Sequence, residues 1–155
     1  MTSSIGVRWR AFTSRFYRVP CVLSCLATTK EIGQFGESHA TLYLRQKGYR
    51  IRGRNSKMFG HELDIVAEIG REFVFCEVKT RSSDAEKVKK YGRPADAIDK
   101  AQRNHIRHAA AAYLAEKGRK KHMHARFDVI EVYITPTQNG YVVERICHIE
   151  DAFRH

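Results

Sequence analysis

Three side chains in the middle of the chain have the types and spacing needed for chemistry on a phosphodiester: Asp64, Glu77 and Lys79. Burying a charge is costly unless it is paired with an opposite charge or a metal. Mg²⁺ binds one or two carboxylates, retains several waters and leaves room for phosphate oxygens. A neighbouring lysine can orient or deprotonate an attacking water and offset the charge on the phosphate. The three residues therefore predict a metal-dependent phosphodiesterase site.

Two strands must position this set. Residues 62–69 and 73–80 are rich in apolar residues and are separated by a short turn, so they predict a hairpin. Side chains alternate along a strand, which places Glu77 and Lys79 on one face, next to the strand that carries Asp64. A simpler interpretation stays open, in which Asp64 and Lys79 form a cross-strand ion pair and Glu77 is solvated at a sheet edge.

The wider residue pattern resembles the YraN-like family of bacterial proteins. The resemblance covers about residues 31–135 and depends on the order and spacing of many short blocks. These blocks are Gly36-Glu37, Ala40, Tyr43-Leu44, Gly48-Tyr49, Arg54-Asn55, Gly60 to Ala67, Phe75 to Arg81, Gly92, Lys100 and Arg126 to Val129. The family is described as predicted endonucleases with a restriction-endonuclease-like fold, and it is similar to archaeal Holliday-junction resolvases. The resemblance therefore implies an α/β fold with a central mixed β-sheet flanked by helices.

The resemblance also implies roles for individual residues. Asp64 and Glu77 correspond to metal ligands, with Mg²⁺ or Mn²⁺ as the cofactor, and Lys79 corresponds to the catalytic amine. Glu37, on the first helix, corresponds to an extra catalytic carboxylate. As a residue on a helix face, Glu37 would more simply pair with an arginine or a lysine.

Several neighbours of this set are candidates for contacts with nucleic acid. Thr80, Arg81 and Lys100 are expected to touch phosphates, although Lys100 also fits an ordinary position on a helix surface. His61 stands where the family often has a small residue, and Cys76 stands where valine is frequent. Neither change removes a proposed ligand. His61 could add a ligand or a phosphate contact, or it could be a turn histidine without function.

The remaining pattern predicts the elements around the site. The first half should contain a helix over 31–47 ended by Gly48, a strand over 49–54 and a loop over 55–59. After the central hairpin we expect a loop over 80–93, a helix from Pro94 to Lys117 and a second hairpin of strands 126–134 and 141–149 with a turn over 136–140. The second helix should face the sheet with Ile98, Ala101, His105, Ala109 and Ala112. This order favours an α/β sheet of mixed direction, in which Asp128 is structural.

Length and composition limit the class of protein. A chain of 155 residues is enough for one domain, and we expect residues 31–155 to form the nuclease domain. Residues 1–30 contain five basic residues and no acid, which predicts a basic, disordered N-terminal extension. The same composition is also typical of an organelle transit peptide. A further interpretation is that an upstream start codon was chosen in error, so that these residues are not part of the protein. The apolar run over 19–27 is too short to span a bilayer, so no membrane partner is expected.

The net charge of +11 favours a polyanionic partner, because bound Lys and Arg release condensed counterions. One basic cluster lies within residues 87–93 and another within 117–126, and each also fits an ordinary solvated loop. The spacing of the cysteines suits neither a zinc site nor a disulfide framework, so we expect free thiols in the cytoplasm. They are Cys21, Cys25, Cys76 and Cys147.

These observations together predict an Mg²⁺- or Mn²⁺-dependent endonuclease that cuts DNA by water attack, with branched or repair intermediates as one substrate class. A junction resolvase is the nearest enzymatic alternative. A nucleic-acid-binding module that retains the fold without cutting is the main alternative of another class. A protein-interaction domain with solubilising basic clusters is a third. The expected partner is nucleic acid, with DNA favoured; RNA and a homodimeric state stay open.

Overall fold

The computed structural model describes residues 20–83, 98–118 and 124–153. Over these ranges a helix and three strands are followed by a second helix and two strands, which is the order that the sequence predicts. In chain order the elements are α1 (Thr29–Gln46), β1 (Arg50–Met58), β2 (His61–Ile69), β3 (Glu72–Ser82), α2 (Lys100–Glu116), β4 (His124–Thr137) and β5 (Gly140–Ile149).

The five strands form one mixed sheet in the order β1-β2-β3-β4-β5. Strand β2 is antiparallel to both β1 and β3, β4 lies parallel to β3, and β5 returns antiparallel to β4. A parallel pair needs a crossover, and the segment between β3 and β4 contains α2. The predicted fold class is confirmed: this is an α/β fold consistent with a restriction-endonuclease-like architecture.

The two helices cover opposite faces of the sheet. On one face, α1 packs through a cluster that includes Phe35, Ala40, Leu44, Ile65 and Val74. On the other face, α2 packs through a cluster that includes Ile106, Ala109, Tyr113, Val66 and Phe75. Because successive strand residues point to opposite sides, the central strands are apolar on both faces.

Helix α1 begins and ends with residues suited to those positions. The Glu31 backbone N–H donates to the Thr28 hydroxyl, and the Thr28 backbone N–H donates to the Glu31 carboxylate at 2.7 Å. This capping box satisfies donors that the first helical turn leaves unpaired. Gly48 follows the helix with a φ of 89°, a left-handed conformation that favours glycine and ends the helix as predicted.

The contact between α1 and β3 depends on a small residue. Gly36 faces Thr80 so closely that a Cβ at position 36 would overlap the Thr80 hydroxyl. Thr80 Oγ1 is buried there without a hydrogen-bond partner among the described residues. This close approach brings the next residue of the helix, Glu37, within electrostatic range of Glu77.

Strands β1 and β3 both extend beyond their predicted ends. The loop expected after the first strand is not present, because β1 continues to Met58 past Asn55, which takes a left-handed φ of 48°. Pairing with β2 resumes directly after this residue. Strand β3 continues to Ser82 through its pairing with β4, so Thr80 and Arg81 lie in a strand rather than in a loop.

The second helix is shorter than predicted. Its expected start at Pro94 lies outside the described residues, but Ile98 and Asp99 precede the helix, which begins at Lys100. The Gln102 N–H donates to Asp99 Oδ1 at 2.8 Å, so Asp99 caps the first turn. A capped start at this position replaces the proline start expected from the sequence.

The face of α2 that packs on the sheet is rotated from the predicted one. Ile106, Ala109 and Tyr113 are buried, whereas Ala101 and His105 are exposed. Alanine occurs on several sides of this helix, so periodicity alone does not select a face. The Tyr113 ring selects it by packing on the aromatic rings of β3.

The C-terminal hairpin turns within two residues. Strand β4 extends to Thr137 and β5 begins at Gly140, so the predicted turn over 136–140 is too long. The chain before α1 reaches this hairpin, because Leu23 and Tyr141 exchange backbone hydrogen bonds of 2.9 and 2.8 Å.

The predicted basic extension lies only partly within the described residues. Residues 20–28 lead into α1, whereas residues 1–19 are outside the described ranges, and their disorder stays a prediction. In the part of the chain that the structure describes, no helix has the length and apolar character needed to cross a membrane.

A buried charge network lies on the α1 face of β4. Asp128 is fully buried, and its carboxylate accepts hydrogen bonds from Arg126 at 2.9 Å and contacts His148 Nε2 at 2.8 Å. Burial alone would raise the pKa of Asp128, but the bonds to His148 and Arg126 lower it. Arg126 is thus turned inward and pairs with Asp128.

We expect Gly36→Ala to lower the free energy of unfolding by about 1–3 kcal/mol, because the added methyl overlaps the Thr80 side chain. Urea unfolding followed by circular dichroism measures the change. Gly33→Ala is the matched control, since a Cβ there meets nothing within 4 Å and alanine favours a helix. Equal stabilities of the two variants would contradict the assigned contact.

Candidate active site

Asp64 and Glu77 lie at the end of the β2–β3 strand pairing. The last paired residues are Ile65 and Cys76, so Asp64 and Glu77 come next along their strands. The Val78 N–H donates to Asp64 Oδ2 at 2.8 Å and holds this carboxylate beside β3. The structure therefore brings the two carboxylates into one cluster.

Glu77 is held by two donors. It is 8% exposed, and its Oε1 accepts hydrogen bonds from Lys79 Nζ at 2.8 Å and from Gln102 Nε2 at 2.6 Å. Lys79 thus pairs with its neighbour on the same strand rather than across the strands with Asp64. The simpler interpretation, in which Glu77 is solvated, is wrong.

Crowding makes Asp64 hard to ionise. Burial, together with the charges of Glu77 and Glu37, raises the pKa of Asp64 to about 7. The hydrogen bond from the Val78 N–H and the Lys79 ammonium act in the opposite direction without cancelling these effects. A cation beside the cluster would favour the ionised carboxylate.

Helix α1 contributes a third carboxylate. Burial raises the pKa of Glu37, whereas a hydrogen bond from the Asn55 side chain lowers it. Glu37 Oε2 is buried, accepts no hydrogen bond and lies 3.9 Å from Arg54 Nη2. The expected pairing with an arginine is therefore present, but it is long and leaves this oxygen without a hydrogen-bond donor.

These oxygen ligands suit a hard divalent cation. Mg²⁺ and Mn²⁺ prefer carboxylates, and Glu37 Oε2 is a buried acceptor without a donor. Within the described ranges, no three His, Cys, Asp or Glu side chains form a ready-made metal group. A magnesium site with one or two carboxylates, completed by water and phosphate oxygens, does not need such a group. Asp64 and Glu77 are the residues that would hold the cation.

The three residues expected to touch phosphates are placed differently. Lys100 is exposed at the start of α2. Arg81 is mostly buried, and its Nε donates to Glu131 Oε1 at 2.8 Å. Thr80 packs against α1. Of the three, Lys100 is the residue presented to solvent, whereas Thr80 and Arg81 hold β3 to its neighbours.

The two basic clusters fall largely outside the described residues. The cluster within 87–93 lies wholly outside them, as do residues 119–121 of the second cluster. Lys117, at the end of α2, is exposed. Contacts between these clusters and phosphate therefore stay predictions.

Sequence reasoning missed three residues around the site. Gln102 reaches Glu77 from α2, and Asn55 reaches Glu37 from β1. Glu131 is 1% exposed on β4 and holds Arg81. The available signal was weak, because only Glu131, a charge within an apolar strand, is unusual in its local sequence.

His61 lies at the start of β2, and its ring stacks on that of His105 from α2. The ring centroids are 4.2 Å apart and the planes differ by 14°. The contact ties the β1–β2 hairpin to α2, and a role of His61 as a ligand stays a prediction.

Fold and site together define a class: an α/β protein in which carboxylates and a lysine cluster beside two central strands. The model of a family described as "Uncharacterised protein family UPF0102" matches residues 36–132, a range that contains these charged residues. The chain belongs to this family, which confirms the YraN-like resemblance.

Individual members of the family are similar over most of the chain. A UPF0102 protein of Caldanaerobacter subterraneus is 37% identical over 124 residues, which cover 80% of this chain and 95% of that protein. A UPF0102 protein of Caldicellulosiruptor saccharolyticus is 38% identical over 68% of this chain and 84% of its own length. One of Moorella thermoacetica is 40% identical over 77% of this chain and 94% of its own length.

We expect the metal-free protein to lose stability as pH rises from about 4 to about 7. The pKa of Asp64 is about 7 in the folded protein against an ordinary 3.8, so the folded state binds this proton more tightly than the unfolded state. The stabilisation is complete at pH values below the pKa of Asp64 in the unfolded chain, and it is lost as Asp64 ionises in the folded protein. The contribution should be on the order of a few kcal/mol.

Urea unfolding in chelator across this pH range, for the wild type and for Asp64→Asn, measures the contribution. The Asp64→Asn variant should lack the pH-dependent contribution to the free energy of unfolding. In the wild type, saturating Mg²⁺ in place of chelator should reduce this contribution by favouring the ionised carboxylate. A stability difference between the two proteins that does not change with pH would contradict the raised pKa.

We expect Gln102→Ala to weaken divalent-metal binding by about 10- to 100-fold, because the Glu77 carboxylate loses a donor that orients it. Titration with Mn²⁺ followed by electron paramagnetic resonance measures the affinity. Asn104→Ala, at an exposed position of the same helix, is the control. Equal affinities of the two variants would exclude this role for Gln102.

Proposed function

We propose that this protein is a divalent-metal-dependent endonuclease that hydrolyses phosphodiester bonds in DNA. Asp64 and Glu77 are the ligands of Mg²⁺ or Mn²⁺, Lys79 is the catalytic amine, and Glu37 is the additional carboxylate. Repair and recombination intermediates are a substrate class within this proposal. A cytoplasmic location, contacts of Lys100 with phosphate and a homodimeric state belong to the same proposal.

One observation carries the proposal: three carboxylates are crowded into a partly buried site, and Lys79 is hydrogen-bonded to one of them, Glu77. Burial and like charge raise the pKa of Asp64 to about 7, and Glu37 Oε2 is buried without a hydrogen bond. Such an arrangement costs stability in the absence of a cation. Carboxylates perturbed in this way are typical of catalytic sites.

The side chains of the site can support hydrolysis. When bound, Mg²⁺ or Mn²⁺ supplies Lewis-acid stabilisation of the charge that develops on the phosphate. Lys79, held 2.8 Å from Glu77 Oε1, adds a positive charge and orients the attacking water. The unbonded oxygen of Glu37 accepts a hydrogen bond from that water. Attack forms one bond from the water oxygen to phosphorus and breaks one ester bond, which leaves a phosphate end and a hydroxyl end.

A second function is favoured by a different feature of the site. Glu77 Oε1 already accepts two hydrogen bonds, and the described residues form no three-ligand metal group. A nucleic-acid-binding module that does not cut would have charges satisfied internally in this way. It would bind DNA in a salt-dependent manner without a metal-dependent product.

Cleavage assays separate the two functions. Purified protein is incubated with linear, nicked, flapped, single-stranded and four-way DNA in Mg²⁺, Mn²⁺ or chelator. We expect metal-dependent products from the wild type, and cleavage slowed by at least about 100-fold in Asp64→Asn, Glu77→Gln and Lys79→Ala. Preference for four-way DNA would identify a junction resolvase.

Glu144→Gln is the control for these variants, because it removes an exposed carboxylate of β5. It should cut as fast as the wild type. A triple variant of Asp64, Glu77 and Lys79 that also cuts at the wild-type rate would overturn the assigned site. Salt-dependent binding without a product in either metal would favour the binding module.

A further inference from the structure

The tip of the β1–β2 hairpin carries an exposed aromatic ring. Met58 pairs with His61, so Phe59 and Gly60 form the whole turn. Phe59 is 86% exposed. Burying a side chain of this size would stabilise the fold, and an exposed ring at this position does not provide that stabilisation.

The backbone at Phe59 is also strained. Phe59 has a φ of 49° and Gly60 a φ of 79°, so both central residues of the turn are left-handed, as in a type I′ turn. The first of these positions favours asparagine, aspartate or glycine, and a bulky residue there is an outlier. Strained residues of this kind cluster at functional sites. Folding alone therefore does not explain phenylalanine at this position.

The hairpin tip lies on the α2 side of the sheet, which is the side of Glu77. His61 stacks on His105, and Gln102, one turn earlier in the same helix, bonds Glu77. Phe59 is five residues from Asp64, so their Cα atoms are at most about 18 Å apart. The ring is therefore within the reach of a few nucleotides from the carboxylates.

A groove of about 450 Å³ lies between the tip and the last turns of α2. Its volume is within the roughly 300–1,000 Å³ of typical ligand clefts. The groove is lined by Lys57, Met58, Phe59, Ala112, Ala115 and Glu116. It thus combines an aromatic face, apolar walls and an exposed lysine.

We infer that Phe59 stacks on an unpaired nucleobase, so that the protein takes nucleic acid with single-stranded nucleotides beside the scissile bond. The identity of the ligand rests on the proposed function. Every base offers a π-face to an aromatic ring, and a positively charged surface follows the backbone. Lys57 and the net charge of +11 complement a polyanion.

Binding without cleavage tests the inference. The protein is titrated in chelator with a single-stranded oligonucleotide that contains 2-aminopurine and with the matching duplex. Fluorescence anisotropy reports affinity, and quenching of 2-aminopurine reports stacking. We expect Phe59→Ala to weaken single-strand binding by about 5- to 100-fold and to leave duplex binding and the salt dependence unchanged. Phe59→Trp should retain affinity and quenching, whereas Phe59→Leu, which stays apolar, should lose both.

Phe59→Asn separates binding from folding. Asparagine suits a left-handed residue, so this variant should unfold at higher urea concentration than the wild type and still bind single strands as weakly as Phe59→Ala. The inference is overturned if the wild type binds no single strand, if the alanine and asparagine variants bind like the wild type, or if leucine serves as well as tryptophan. Since the assay contains no metal, its failure leaves Asp64-dependent cleavage as a separate question.

Discussion

Repulsion among three partly buried carboxylates is the constraint on which the rest of the site depends. Glu37, Asp64 and Glu77 come from a helix and two strands, and the ammonium bonded among them is that of Lys79. In water these groups would separate. Here the apolar layers on both faces of the sheet hold them together, because burial of those layers contributes far more free energy than the repulsion removes.

Close contacts between elements turn this crowding into a defined geometry. Gly36 allows α1 to approach β3, which sets the position of Glu37. Asp99 caps α2, so the first turn of that helix begins where Gln102 can reach Glu77. The buried Asp128 network lies on the α1 face of β4, where its charges are paired with Arg126 and His148. The described residues thus contain one charge cluster whose partners are in place and another in which the Glu37 carboxylate is incompletely paired.

Strained backbone in β1 and its turn lies near the same site. Asn55 and Phe59 both take left-handed φ values that non-glycine residues rarely adopt. Asn55 directs its side chain to Glu37, and Phe59 projects a ring from the hairpin tip. Asparagine tolerates this conformation, whereas at Phe59 it costs local stability, and both conformations place a side chain where a regular strand with a favoured turn residue would not.

The sequence by itself determined the α/β class, the central hairpin and the grouping of Asp64 with Glu77 and Lys79. Alternation and apolar content are local properties, and residues two positions apart on a strand must share a face. Tertiary structure alone decided that Gln102 bonds Glu77 across 25 residues, that β1 continues beyond Asn55 and which face of α2 is buried. Those outcomes depend on strand register and helix docking, which are set by contacts between distant segments and leave little trace in a local pattern.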